Sequence, residues 1–194
     1  MMEMKCLFQA YGISVSYPSE WRIYIPQNQS FSLDDGILKF DDIAGADSRA
    51  SFTLSWEKTA PVTGFADGYL ISAEKNYAKK VKGRCRILEK ERTEINGHEA
   101  GFMRAQLSSS THVFKAIGKS LELEVMQAAF YCPDSGRIVM GTMIAKQDYF
   151  EKNRERLREM VMGIQCHSSE EIAVKCCGRS EEHAYSEVGC AIQD

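Results

Sequence analysis

Apolar and polar residues alternate through most of the first sixty positions, and a period near four replaces the alternation after Pro61. Phe8, Ala10, Ile13, Val15 and Tyr17 surround Gly12 and stop at Pro18. This predicts one strand with a break or bulge at Gly12, then a turn over Tyr17-Pro-Ser-Glu20. Trp21, Ile23 and Ile25 are expected on one face of a short second strand. Segments 36–40 and 50–56 read as strands, the latter with Phe52, Leu54 and Trp56 inward, and 41–49 between them carries turn chemistry. Phe65, Tyr69, Ala73, Tyr77 and Val81 then recur every four residues with Leu70 beside them, predicting an amphipathic helix over 64–80 that Gly83 stops.

Strands resume at 85–95. Asn96-Gly97 is a strong hairpin signal, because both central residues of a type I′ turn need positive φ, and 101–107 forms the return strand. A second hairpin pairs 121–131 with 137–145 around Pro133-Asp-Ser-Gly136, and 108–120 reads as a loop or a frayed extension of the sheet. The last helix is expected over 149–164, with Asp148 as N-cap and Glu151 completing a capping box. Phe150, Leu157, Met160, Val161 and Ile164 line its apolar face, while Glu151, Lys152, Arg154, Glu155 and Arg158 solvate the other. Beyond Cys166 the periodicity fades, which divides the chain into a domain over 1–166 and a weakly ordered cysteine-containing tail over 167–194.

A length of 194 residues suits one such domain, and 44% hydrophobic with 26% charged residues is a globular composition. The net charge of −3 gives no electrostatic case for nucleic acid. The start lacks the apolar run of a secretory leader, and no window approaches the roughly 18 apolar residues of a membrane span. The expected compartment is therefore the cytoplasm.

The candidate chemistry lies mainly in the seven cysteines and four histidines. Cys166, His167, Cys176, Cys177, His183 and Cys190 gather near the end, where soft thiolates and imidazoles could hold zinc. Adjacent cysteines are poor tetrahedral partners and no C-x-x-C pair is present, so the simpler expectation is a tail of unligated thiols. His98 is expected at a hairpin tip in water and His112 in a Ser/Thr-rich loop. No G-x-S-x-G, H-E-x-x-H or phosphate-cradling glycine loop occurs, so no catalytic residue and no cofactor are assigned. Asp34-Asp35 and Asp41-Asp42 lack calcium-loop spacing and read as solvated turns. The basic run from Lys79 to Arg86 reads as a solvated helix end or a contact for an acidic partner. Trp21, Trp56, Tyr24, Tyr69 and Tyr77 suit core or sheet packing.

In order and spacing these pieces resemble the Mog/PsbP-like family, which includes Ran-binding Mog, photosystem PsbP, DcrB-type proteins and type VI effector chaperones. The resemblance rests on Gly12-Ile-Ser-Val-Ser-Tyr-Pro-Ser-Glu-Trp21, the Phe65-Ala-Asp-Gly-Tyr helix, Ile95-Asn-Gly-His-Glu-Ala-Gly-Phe102, and the ending Met160-Val-Met-Gly-Ile-Gln165. It covers about residues 5–166 and implies an α+β fold, a central antiparallel sheet flanked by helices on both faces in an α/β/α sandwich. It also implies an adaptor, chaperone or assembly role without chemistry, so no site residue is carried over.

The expected function is thus non-enzymatic protein binding, most concretely as a secretion-effector chaperone, with another protein as partner and a homo-oligomer compatible with it. The alternatives are a metal- or redox-responsive protein using the tail, and a small-ligand-binding or hydrolytic domain. Trp21, Phe52, Leu54, Phe65, Tyr69, Phe102, Val125, Phe130, Leu157 and Val161 are expected in one core. Tyr11, Tyr24, Phe31 and Met103 are candidates for an outward apolar patch.

Overall fold

The computed structural model describes residues 5–44, 47–80, 85–109 and 121–167. It is a mostly antiparallel α+β fold. The elements are β1 (Lys5–Ala10), β2 (Ile13–Pro18), β3 (Arg22–Tyr24), β4 (Asp35–Ala44), β5 (Asp47–Lys58), α1 (Phe65–Lys80), β6 (Cys85–Ile95), β7 (His98–Ser109), β8 (Leu121–Cys132), β9 (Arg137–Lys146) and α2 (Gln147–Met162). Seven strands form one sheet in the order β3-β4-β5-β9-β8-β7-β6, and β1 with β2 forms a separate hairpin. Among the described residues no helix is long and apolar enough to cross a membrane.

The predicted break at Gly12 is a complete reversal. Tyr11 (φ 54°) and Gly12 (φ 73°) make a two-residue turn that pairs Ala10 with Ile13. The primed-turn chemistry expected of Asn96-Gly97 (φ 51° and 77°) operates there as well, with tyrosine in the first place. Trp21 does not share a face with Ile23 and Ile25. It is buried while both isoleucines are exposed, because its amide closes a turn on the Pro18 carbonyl at 3.0 Å before β3 begins. Segment 41–49 is not a loop throughout. Both strands extend into it past a bulge at Asp42/Ile43, and Asp42 is buried against Arg49 at 2.6 Å. The other carboxylates expected in turns are partnered separately: Asp34 with Lys58 and Asp35 with Ser32.

The main apolar cluster joins Leu38, Phe40, Phe52, Leu54 and Trp56 of β4 and β5 to Met126, Ala128 and Phe130 of β8, Phe102 of β7, and Phe150, Leu157 and Val161 of α2. The β1–β2 hairpin adds Tyr17, whose ring lies 5.0 Å from Phe40. Met103, Ala105 and Val125 are buried outside this cluster, so the expectation of one core for Val125 is corrected. The helix α1 contacts β6, β7 and β8, and its buried line is Ala66, Leu70 and Ala73, with Phe65, Tyr69 and Tyr77 only partly covered. A strict four-residue step drifts across a helix of 3.6 residues per turn, which moves Phe65 and Tyr69 to the margin, where their rings stack at 6.0 Å.

Gly101 makes the close approach of α1 to the sheet achievable. A Cβ there would lie 2.5 Å from the Tyr69 ring and 3.1 Å from the Ala66 carbonyl oxygen. Gly101→Val is expected to cost about 2–3 kcal/mol by forcing α1 outward, measured as a lowered urea midpoint with native secondary structure retained.

The helix α2 begins one position before Asp148, so the capping box does not form: the N-cap residue is Lys146 and no side chain caps it. Asp148 instead sits in the first turn, where its charge suits the helix dipole. At Asn153 the helix kinks (φ −122°, ψ 15°), and the Asn153 amide donates to the Tyr149 carbonyl at 2.8 Å.

Candidate functional site

Three chain segments converge at one end of the sheet. The β7–β8 register pairs Ala100 with Phe130, and carrying it two residues further sets His98 opposite Cys132. Past α2 the chain turns at Gly163 and runs extended against β2. There the backbones of Ser14 and Gln165 exchange hydrogen bonds of 3.0 and 2.9 Å, which seats Cys166 in the core and His167 beside it.

The Sγ atoms of Cys132 and Cys166 and one ring nitrogen each of His98 and His167 all lie within 4.8 Å of one another. His167 Nδ1 is 3.0 Å from Cys166 Sγ and 3.5 Å from Cys132 Sγ. Asn96 donates its amide to Cys166 Sγ at 3.3 Å, and Asp134 Oδ2 is 3.8 Å from His167 Nε2. The His98 ring stacks on Phe130 at 5.7 Å and meets the His167 ring edge-on at 5.3 Å. Its Nε2 is buried with no hydrogen-bond partner among the described residues. The Cys166 thiol donates toward Cys132 and thereby lowers the Cys132 thiol well below the usual range, against the opposing effect of burial. Cys166, which holds that proton and is itself buried, is pushed up.

Both sulfurs are fully buried. A cavity of about 200 Å³, lined by Gly12, Ser14, Gln165 and His167 among others, reaches the cluster only on the His167 side. A thiol, imidazole and carboxylate in sequence can perform nucleophilic chemistry only where a substrate carbonyl reaches the sulfur, and both sulfurs here are buried. Four soft donors around a common centre suit ligation better.

Of the residues assigned by sequence, Cys166 and His167 belong to this cluster, whereas Cys176, Cys177, His183, Cys190 and His112 lie outside the described residues. His98 does not stand in open water as expected, because the hairpin lays its ring on Phe130. The sequence reading passed over Cys132. The available signal was its place on the inward-facing alternation of β8, after Met126, Ala128 and Phe130.

The outward patch is also rearranged. Met103 is buried, and Tyr11 and Phe31 pack on Trp56 at 6.3 and 5.5 Å, so only Tyr24 of the four faces solvent, donating its hydroxyl to Asp41 at 2.7 Å. A different surface takes their place. The registers of β4, β5 and β9 align Ile37 with Ser55 and Met140, and Asp41 with Ser51 and Ile144, and Ile138 stands opposite Glu57. Ile37, Ile138 and Met140 are half-buried and Ile144 is exposed. At one end they border a hollow of about 390 Å³.

No protein-family model matches the chain, and no curated protein matches it. Solved structures do. The cyanobacterial PsbP (CyanoP) of Synechocystis sp. PCC 6803 superposes with a TM-score of 0.63 at 10% identity, covering 86% of this chain and 95% of that one. The Ran-binding protein Mog1p of Saccharomyces cerevisiae gives 0.52 at 8% identity, covering 87% and 98%. A structure from Bacteroides thetaiotaomicron gives 0.53 at 10% identity, covering 87% of this chain and 50% of that one. The chain therefore has the Mog/PsbP-like fold.

Proposed function

We propose that the chain is a non-catalytic protein-binding module whose partner seats on the part of the sheet that no described helix covers on the α1 face. In this reading α1 and α2 lie on opposite faces, since Gly101 meets α1 and the neighbouring Phe102 ring lies 4.3 Å beneath the Arg158 guanidinium of α2. The carrying observation is that α1 contacts β6, β7 and β8 while β4, β5 and β9 continue the same face with Ile37, Ile138, Met140 and Ile144. Apolar residues set among Ser51, Thr53, Ser55, Lys39, Asp41 and Glu57 give the mixed composition of a surface that is wet when free and dry when bound. The Ran-binding Mog1p shares this fold, which supports protein association without identifying the partner. An adaptor or effector chaperone acting in the cytoplasm is its most concrete form. The burial of both sulfurs in the thiol–imidazole cluster supports a role without catalysis.

Ile138→Glu combined with Ile144→Glu is expected to reduce partner capture from the native host at least about tenfold, because burying an unpaired carboxylate opposes docking. Melting should shift by less than about 2 °C, as neither residue is in the core. Affinity capture with mass spectrometry, run beside the unaltered chain, reads the first quantity, and circular dichroism reads the second. Equal capture of the same proteins by both chains would remove this surface from the proposal.

A further inference from the structure

We infer that His98, Cys132, Cys166 and His167 form a closed, structural binding site for one divalent cation of the zinc class. The donor set is two thiolates and two imidazoles, which suits a borderline-soft ion of tetrahedral preference and disfavours magnesium or calcium, whose ligands are oxygens. Zinc bonds of about 2.3 Å to sulfur and 2.0–2.1 Å to nitrogen set ligand atoms roughly 3.3–3.8 Å apart. The separations of His167 Nδ1 from the two sulfurs are 3.0 and 3.5 Å, and the widest separation in the set is no more than 4.8 Å. Closing on an ion therefore takes shifts of about 1 Å at most, drawing in the widest pair and opening the His167–Cys166 pair slightly.

A second observation points the same way. His98 Nε2 is buried and has no hydrogen-bond partner among the described residues, an arrangement that costs stability unless something pairs with it. An ion at the centre would be that partner. The surrounding groups are also those that orient ligands: Asn96 donates to the Cys166 sulfur, and Asp134 faces the His167 nitrogen remote from the thiols. Cys166 and His167 are neighbours in sequence, and such pairs usually diverge. Here the extended strand that follows Gly163 directs Cys166 inward, and the His167 ring folds back over it. Burial of both sulfurs leaves no open coordination position, which marks a structural site. The ion would tie the β6–β7 turn, the end of β8 and the segment after α2 together.

The test uses the full chain, prepared under reducing, oxygen-free conditions and loaded with Zn²⁺, or with Co²⁺ as a spectroscopic probe. One ion per chain is expected after dialysis, and Co²⁺ should show the intense visible bands of a tetrahedral centre with thiolate-to-cobalt charge transfer. Cys132→Ser and His98→Asn should each weaken binding by about 100-fold or more, and Asp134→Asn by about 10- to 100-fold. A chain carrying Cys176→Ser, Cys177→Ser and Cys190→Ser should bind within about twofold of the unaltered chain, since independent sites do not couple. Far-UV circular dichroism checks that each variant folds. If Cys132→Ser does not fold, His98→Asn, which sits at a turn, supplies the same reading. The inference is overturned by the absence of stoichiometric Zn²⁺ or Co²⁺, by octahedral cobalt spectra, or by loss of the ion in the triple variant with retention in His98→Asn. If reductant is then removed and oxygen admitted as the two-electron oxidant, a Cys132–Cys166 disulfide that forms as fast with Zn²⁺ present as without it would also overturn it, in favour of a redox pair.

Discussion

Arg137→Met is expected to destabilise the domain by about 3–5 kcal/mol, lowering the melting temperature by about 10 °C for a chain of this size. Arg137 opens β9 and is buried there, and its guanidinium donates to the carbonyls of Tyr11 at 2.8 Å, Leu33 at 3.0 Å and Cys166 at 3.2 Å. Those carbonyls belong to the first hairpin turn, to the segment before β4 and to the segment after α2. One planar fork thus supplies donors to carbonyls of three separate chain segments that lie outside the main sheet. Methionine keeps the volume but leaves all three acceptors without this donor. Lysine keeps the charge, yet a compact ammonium cannot span the fork, and about half the loss should remain. Thermal and urea unfolding of the three chains measure this. A loss below about 1 kcal/mol for methionine would show that the carbonyls find other donors.

Phe130→Ala is expected to cost about 3–5 kcal/mol, through a cavity opened where the β8 strand meets the main cluster. Phe130 has no exposed surface, and its ring also carries His98, stacked at 5.7 Å and 16°. The substitution removes packing and the support of one imidazole together. Phe130→Leu separates the two effects. It restores most of the volume at a cost below about 1.5 kcal/mol but removes the aromatic face. The proton resonances of His98 should then move as the ring current disappears, while the unfolding midpoint stays near that of the unaltered chain. Unchanged His98 resonances in Phe130→Leu would mean that the ring does not rest there.

The strands and helices were legible where one period held for many residues and a turn of known chemistry ended them. Both hairpins after α1 fall where Asn96-Gly97 and Pro133-Asp-Ser-Gly136 place them, and both helices lie within a few residues of their expected bounds. The first hairpin was not legible, because Tyr11 at positive φ is uncommon and the phase change between Ala10 and Ile13 reads equally well as a bulge within one strand. Trp21 is buried as expected, but Ile23 and Ile25 do not share its face, for a related reason: a turn precedes β3 and shifts the phase. The candidate metal cluster was half visible. Cys166-His167 could be named from composition, but Cys132 and His98 join it through a strand register and a chain reversal after Gly163, which are tertiary facts. Asp42 likewise looked like a turn residue, and only the extended β4–β5 pairing buries it against Arg49.

Among the described residues the order of the seven strands leaves two unpaired borders, and each is guarded differently. At one border β3 offers three exposed residues, and Pro26, which lacks an amide hydrogen, follows soon after. At the other, β6 carries Arg86, Glu89, Lys90, Glu91, Arg92 and Glu94, and its pairing slips at Ile87/Glu89. A strand arriving from another molecule would meet too short a template on one side and a charged, irregular one on the other. Copies of this chain therefore have little tendency to join edge to edge into a continuous sheet.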